Sequence, residues 1–137
     1  MAVTFQIQEI KFKLEKAATI KLWIKKIIEL EKKKQGQINF VFTNDEEILK
    51  TNIQYLNHNT YTDIITFDYC EGKIINGDII ISIDRVKENS DKLGVDFTEE
   101  LHRVIIHGTL HLCGYKDKSK EDATLMRKKE NWALKKV

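Results

Sequence analysis

Gly77-Asp78-Ile79-Ile80-Ile81-Ser82-Ile83 is the stretch whose reading decides the fold. So nearly continuous a run of β-branched apolar residues reads as a central strand buried on both faces, which requires neighbouring strands and further layers to cover it. Just upstream, Asp63-Ile64-Ile65-Thr66-Phe67-Asp68-Tyr69 is rich in β-branched and aromatic residues and reads as the preceding strand. Gly72 marks the turn between the two, and Lys73-Ile74-Ile75 begins the return. Farther back, Ile38, Phe40, Val41 and Phe42 form another buried strand, while Val3, Phe5 and Ile7 alternate with Thr4, Gln6 and Gln8 at the period of a half-buried one.

Helices fill the intervals. Apolar residues recur at three-to-four spacing from Ala17 to Lys34, and Gln35-Gly36 closes that helix. Thr43 with Glu46 spells a capping box for a helix running to about Leu56, and Asn57-His58-Asn59-Thr60 is a polar loop. Asp84 caps a helix from Arg85 to Leu93 that Gly94 ends. Thr98, followed by Glu99 and Glu100, opens the next, with Leu101, Val104, Ile105 and Leu112 on its core face. Ser119 with Asp122 opens the last, in which Leu125, Met126, Lys129, Trp132 and Ala133 share one side. The expectation is an α+β fold: a single domain over residues 1–137, with a mixed sheet of about four strands covered by helices.

Composition narrows the class. With 42% apolar and 32% charged residues in 137, the chain has the make-up of an ordinary globular protein with one core. No run approaches the roughly 18 apolar residues that cross a bilayer, and Met-Ala-Val-Thr-Phe-Gln lacks the pattern of a secretory leader, so no membrane partner and a cytoplasmic location are expected. Cys70 and Cys113 are too few for a disulfide framework and read as reduced, small, buried residues. A net charge of +2 says little about partners, but its distribution says more. Lys32-Lys33-Lys34 reads as a solvated helix face, whereas Lys116, Lys118 and Lys120 bracket Asp117 as a phosphate backbone would require.

The helix after Thr98 carries the chemistry. It leads into His107-Gly108-Thr109-Leu110-His111-Leu112-Cys113-Gly114-Tyr115-Lys116-Asp117. Two histidines one turn apart share a face and can reach one ion, and a glycine reversal at Gly114 can carry Asp117 back towards them. Two nitrogens and one carboxylate leave a tetrahedral Zn²⁺ an open position for water, the arrangement of a catalytic site. The plainer alternative is a helix with one packed and one solvated histidine. Cys113 is a further candidate donor, although a helix would point it away from the histidine face. Gly108 stands where a His-Glu-x-x-His peptidase has its general base, which weakens peptide hydrolysis as the reaction, and its helix cost of about 1 kcal/mol implies a close neighbour or a substrate. His102 lies off the histidine face and reads as packed or solvated; His58 reads as a solvated loop residue.

These segments resemble a known family. His107-Gly108-x-Leu110-His111-Leu112-x-Gly114-Tyr115, Tyr61-Thr62-Asp63-Ile64-Ile65-Thr66-Phe67 and Gly77-Asp78-Ile79 follow, in order and spacing, the signatures of the YbeY family of bacterial metal-dependent endoribonucleases. The sequence departs from that pattern in having Lys116 for the usual Asp, Asp117 for the third histidine and Leu56 for an arginine. The resemblance implies Zn²⁺ or another divalent ion at His107 and His111, with Asp117 replacing the third ligand. It places Asp63 and Thr66 in the groove, and Lys116 and Lys118 complete the expected substrate contacts. It further implies single-strand-specific cleavage of RNA in 16S rRNA maturation and ribosome quality control, with rRNA and the ribosome or its small subunit as partners. The nucleophile would be metal-bound water; no side chain is assigned as catalytic. A carboxylate ligand cancels part of the ion's charge, so hydrolysis is expected to quicken as pH rises. Alternatives are a non-catalytic RNA-binding or ribosome-binding module with a structural metal, and a zinc hydrolase of another substrate.

Overall fold

A computed structural model describes residues 2–56 and 62–137, so the loop expected at 57–60, His58 and Tyr61 lie outside the described residues. The element order is β1 (Val3–Ile7), α1 (Ala17–Leu30), β2 (Lys34–Thr43), α2 (Asp45–Thr51) continuing into a π-helical turn (Asn52–Leu56), β3 (Ile64–Asp68), β4 (Ile74–Ser82), α3 (Ile83–Leu93), α4 (Phe97–Leu112) and α5 (Lys120–Leu134). The four strands form one mixed sheet of order β1-β2-β4-β3. β1, β2 and β4 run parallel, and β3 pairs antiparallel with β4. This is the expected α+β architecture.

Both faces of β4 were expected to be buried, and only one is fully so. Ile75, Gly77, Ile79 and Ile81 are buried, whereas Ile74, Asn76, Asp78 and Ile80 are half-buried. The buried side joins Ile38, Phe40 and Phe42 of β2 to Ile20, Trp23, Ile24, Ile27 and Ile28 of α1 and to Leu101, Val104, Ile105 and Leu112 of α4 in one core. On the other face α2 packs on β4, with Ile48 buried but outside that core.

Several boundaries move for local reasons. α1 stops at Leu30, because the chain turns through Lys32 at φ 62° and Lys34 already pairs in β2; Lys32 to Lys34 are therefore no helix face. Asn44, not Thr43, caps α2 by accepting from Glu47 N at 2.9 Å, while Thr43 Oγ1 donates to the Gln8 carbonyl. Ser82, not Asp84, caps α3, its Oγ accepting from Arg85 N at 3.2 Å. α4 begins at Phe97 after Asp96. Ser119 caps α5 as read, but Leu125 is 47% exposed rather than packed.

α4 lies unusually close to the sheet. A Cβ on Gly108 would stand 2.9 Å from Ile64 Cδ1 and 3.0 Å from Ile79 Cγ2. The close neighbour of Gly108 is thus the sheet itself. A Cβ on Gly77 would lie 3.0 Å from Leu112 of the same helix. Two glycines, one on each side of the interface, bring the histidine helix down against β3 and β4.

Candidate metal centre

α4 holds His107 and His111 one turn apart with nearly parallel rings, 16° between planes and 6.1 Å between centroids. Each ring is fixed through Nδ1. That of His107 lies 2.7 Å from Oε2 of Glu130 on α5, and that of His111 lies 2.7 Å from the main-chain carbonyl of Tyr115. A carbonyl oxygen can only accept, so His111 donates from Nδ1, and in the neutral ring the lone pair is then on Nε2. Contacts of this kind set the tautomer and orientation of metal-binding imidazoles.

The Tyr115 carbonyl is delivered by the end of α4. Gly114 takes φ 112°, Gly114 N donates to His111 O, and Tyr115 N donates to Leu110 O, the paired bonds of a Schellman motif. The reversal brings Asp117 back, its Oδ2 3.3 Å from His107 Nε2. His107 is therefore bracketed by a carboxylate on each nitrogen. Burial pulls its pKa down, but the hydrogen bond and charge of Glu130, with Asp117 and Asp63, outweigh this and hold it above the ordinary range.

Glu130 is the hub. It is 5% exposed and gathers Arg103 Nη1 at 3.0 Å and Arg127 Nε at 3.9 Å on Oε1, with His107 on Oε2. Burial alone would raise its pKa; the hydrogen bonds from His107 and Arg103 and the positive charge around it lower it instead. Arg103 is itself oriented by Asn131 Oδ1 at 2.9 Å.

These groups line a cleft of about 600 Å³ between α4, α5 and β3. The fold brings His107, His111, Asp117, Asp63 and Thr66 into it. Lys116 and Lys118, expected to contact the substrate beside Asp117, are exposed and outside its lining; among the described residues the cations that line it are Arg103 and Arg127. Lys116 borders a separate depression with Glu31 and Tyr115. Asp63 is raised above the usual carboxylate range, chiefly by burial and against the pull of His107. Glu100, read as a carboxylate at the positive end of the helix, is 6% exposed and likewise raised by burial, with Asp63 adding to it.

Among the described residues, no three His, Cys, Asp or Glu side chains are so placed as to enclose an ion. The donors fit one in kind: two imidazoles with fixed outer nitrogens, and a carboxylate against the inner nitrogen of the first. Cys113 does not join them: it is buried and outside the lining of the cleft, facing the other depression with Glu31 and Tyr115. Reading by periodicity missed Glu130, Arg103 and Glu100. A signal existed for Glu130: it lies four residues after Met126 and three before Ala133, in the middle of an otherwise apolar stripe.

The sequence pattern of the family described as Endoribonuclease YbeY matches residues 3–137. The chain belongs to the YbeY family. Endoribonuclease YbeY of Flavobacterium psychrophilum is 52% identical over 127 residues, covering 93% of this chain and 91% of its own. Its counterpart in Azobacteroides pseudotrichonymphae is 48% identical over 137 residues, covering 100% and 99%. The solution structure of TM1509 from Thermotoga maritima superposes with a TM-score of 0.69 at 24% identity, covering 96% of this chain and 87% of that one, which establishes a shared fold. The structure explains why the YbeY segments occur together. Thr66 pairs with Ile79 and Phe67 with Asp78, and Gly108 rests on Ile64 and Ile79, so the described parts of all three segments meet where α4 crosses β3 and β4.

Proposed function

We propose that this protein is a metal-dependent, single-strand-specific endoribonuclease acting in 16S rRNA maturation and ribosome quality control. Zn²⁺ or another divalent ion would be held by His107, His111 and Asp117, and the ribosome or its small subunit would be the partner. Family membership supports the nuclease. The observation that carries the metal is the pinning of both Nδ1 atoms, by Glu130 and by the Tyr115 carbonyl, which leaves both Nε2 atoms as the ring nitrogens for an ion.

A bound divalent ion would supply a Lewis acid that acidifies water and neutralises phosphoryl oxygens. The chain's own residues do the rest. Arg103, held by Glu130 and Asn131, and the more exposed Arg127 bind backbone phosphates within the cleft, while Lys116 and Lys118 meet the strand outside it. Asp63 and Thr66, on the β3 side, contact the nucleotide. Glu130 holds the Nδ1 proton of His107. No carboxylate follows the first histidine, so the acceptor used in His-Glu-x-x-His peptide hydrolysis is missing, and a phosphodiester suits the arginines better than a peptide does. Elemental analysis of the purified protein, followed by cleavage of single-stranded and duplex rRNA fragments, tests the reading. Wild type should contain a divalent ion and cut only the single strand, and His107→Ala should lose both properties. Cutting undiminished in His107→Ala would overturn it.

A further inference from the structure

Tyr115 is held at both ends. Its main-chain carbonyl accepts from His111 Nδ1 at 2.7 Å, and its phenol donates to Oε1 of Glu31, at the end of α1, at 2.5 Å. The other oxygen of Glu31 takes Lys129 Nζ of α5 at 2.8 Å. That ammonium also stands 5.4 Å from the Tyr115 ring centroid and 4.4 Å from that of Trp132. The Glu31 side chain is only 11% exposed, so the contact is sheltered from the water that weakens surface pairs. None of the three residues lines the cleft.

We infer that Glu31, Tyr115 and Lys129 form a clamp that positions His111, and with it Asp117, for ion binding. The turn needs such a device. Gly114 is exposed and in the left-handed region, where glycine gives little resistance to rotation, and the acceptor for His111 belongs to the very next residue. Were that peptide to rotate, His111 would lose the partner that fixes its proton on Nδ1, and Asp117, two residues on, would leave His107. Tethering the Tyr115 side chain to α1 and α5 restricts the rotation from outside the cleft. These are positioning residues, and the inference rests on the metal reading proposed above.

The test uses the full chain. Long-range ¹H–¹⁵N spectra of the His111 ring, recorded without metal at about pH 8, where free imidazole is neutral, read its tautomer. Competition titration with Zn²⁺ reads affinity. Wild type should show a single tautomer with the proton on Nδ1. Tyr115→Phe and Glu31→Ala should show both tautomers and lose about tenfold in Zn²⁺ affinity, the lower end for an outer hydrogen-bond partner. Glu31→Gln keeps an oxygen acceptor for the phenol and should recover most of the loss. Ile20→Val, near the other end of α1, should lower thermal stability without moving either reading. The clamp is overturned if Tyr115→Phe and Glu31→Ala keep one tautomer and bind Zn²⁺ within about twofold of wild type. A wild type that takes up no divalent ion overturns the metal reading instead. The tautomer, read without metal, then still decides whether the clamp holds the imidazole.

Discussion

Glu130 shows how much can depend on one buried carboxylate. It satisfies Arg103 and His107 together, so removing it leaves the guanidinium of Arg103 without its carboxylate and the Nδ1 of His107 without its partner in a sheltered place. Glu130→Ala is expected to cost about 3 kcal/mol in urea unfolding, and Glu130→Gln, which keeps the shape, to lower divalent-ion affinity about 10- to 100-fold in titration. His102 gives a cleaner pH prediction because it stands outside the cleft, 5.7 Å from the Trp23 ring. Burial, reinforced by Lys16, holds its pKa below the ordinary value. A depressed histidine is neutral in the fold and binds its proton more tightly when unfolded. Its contribution is therefore complete above the usual histidine pKa of about 6.5 and is lost as pH falls from there through the folded value. His107 is shifted the opposite way, so the comparison must be between variants: His102→Gln should flatten the acid side of the stability profile relative to wild type, and an unchanged slope would contradict the assignment.

At the scale of elements, the close approach of α4 to the sheet fixes where the histidines stand. The two glycines at that contact differ in what a methyl group would meet. At Gly77 it would stand 2.6 Å from the Phe67 carbonyl, which is backbone in the neighbouring strand, whereas at Gly108 it meets isoleucine side chains, Ile64 Cδ1 at 2.9 Å and Ile79 Cγ2 at 3.0 Å. Gly77→Ala is expected to cost about 3 kcal/mol. Gly108→Ala should cost about 1 kcal/mol net, its overpacking offset in part by the gain in helix propensity; urea unfolding of the pair would show the order. α5 supplies the arginine most open to a ligand. The Arg127 side chain is 60% exposed, so Arg127→Ala should leave stability unchanged. It should weaken RNA binding and reduce the slope of log affinity against log salt by about 0.7. The same substitutions at Lys116 and Lys118 should have smaller effects inside the cleft, because both residues are outside its lining.

For the molecule as a whole, an ion bound only by the folded state must stabilise it. Zn²⁺ at about 100 times its Kd should add about 2.7 kcal/mol, seen as a higher Tm that a chelator reverses in wild type and that is absent in His111→Ala. Periodicity sufficed for the strands, for α4 and α5, and for the order of the elements, because one-face burial imposes a period of two or near four on any chain that forms a layer. Capping positions slipped by a residue or two, since Thr43 and Asn44, or Ser82 and Asp84, offer equivalent acceptors until a neighbour such as Gln8 claims one of them. By itself the sequence determined the individual strands, the pairing of His107 with His111, and the reversal at Gly114, all of which depend on bonds and spacings within a few residues. Only the tertiary structure decided that Glu130 and the Tyr115 carbonyl hold the two rings, that Arg103 and Arg127 rather than Lys116 and Lys118 line the cleft, and that Glu31 reaches Tyr115. Apart from the Tyr115 carbonyl, which the turn after α4 supplies locally, those contacts join residues from different elements, and their partners are chosen by how α1, α4 and α5 pack.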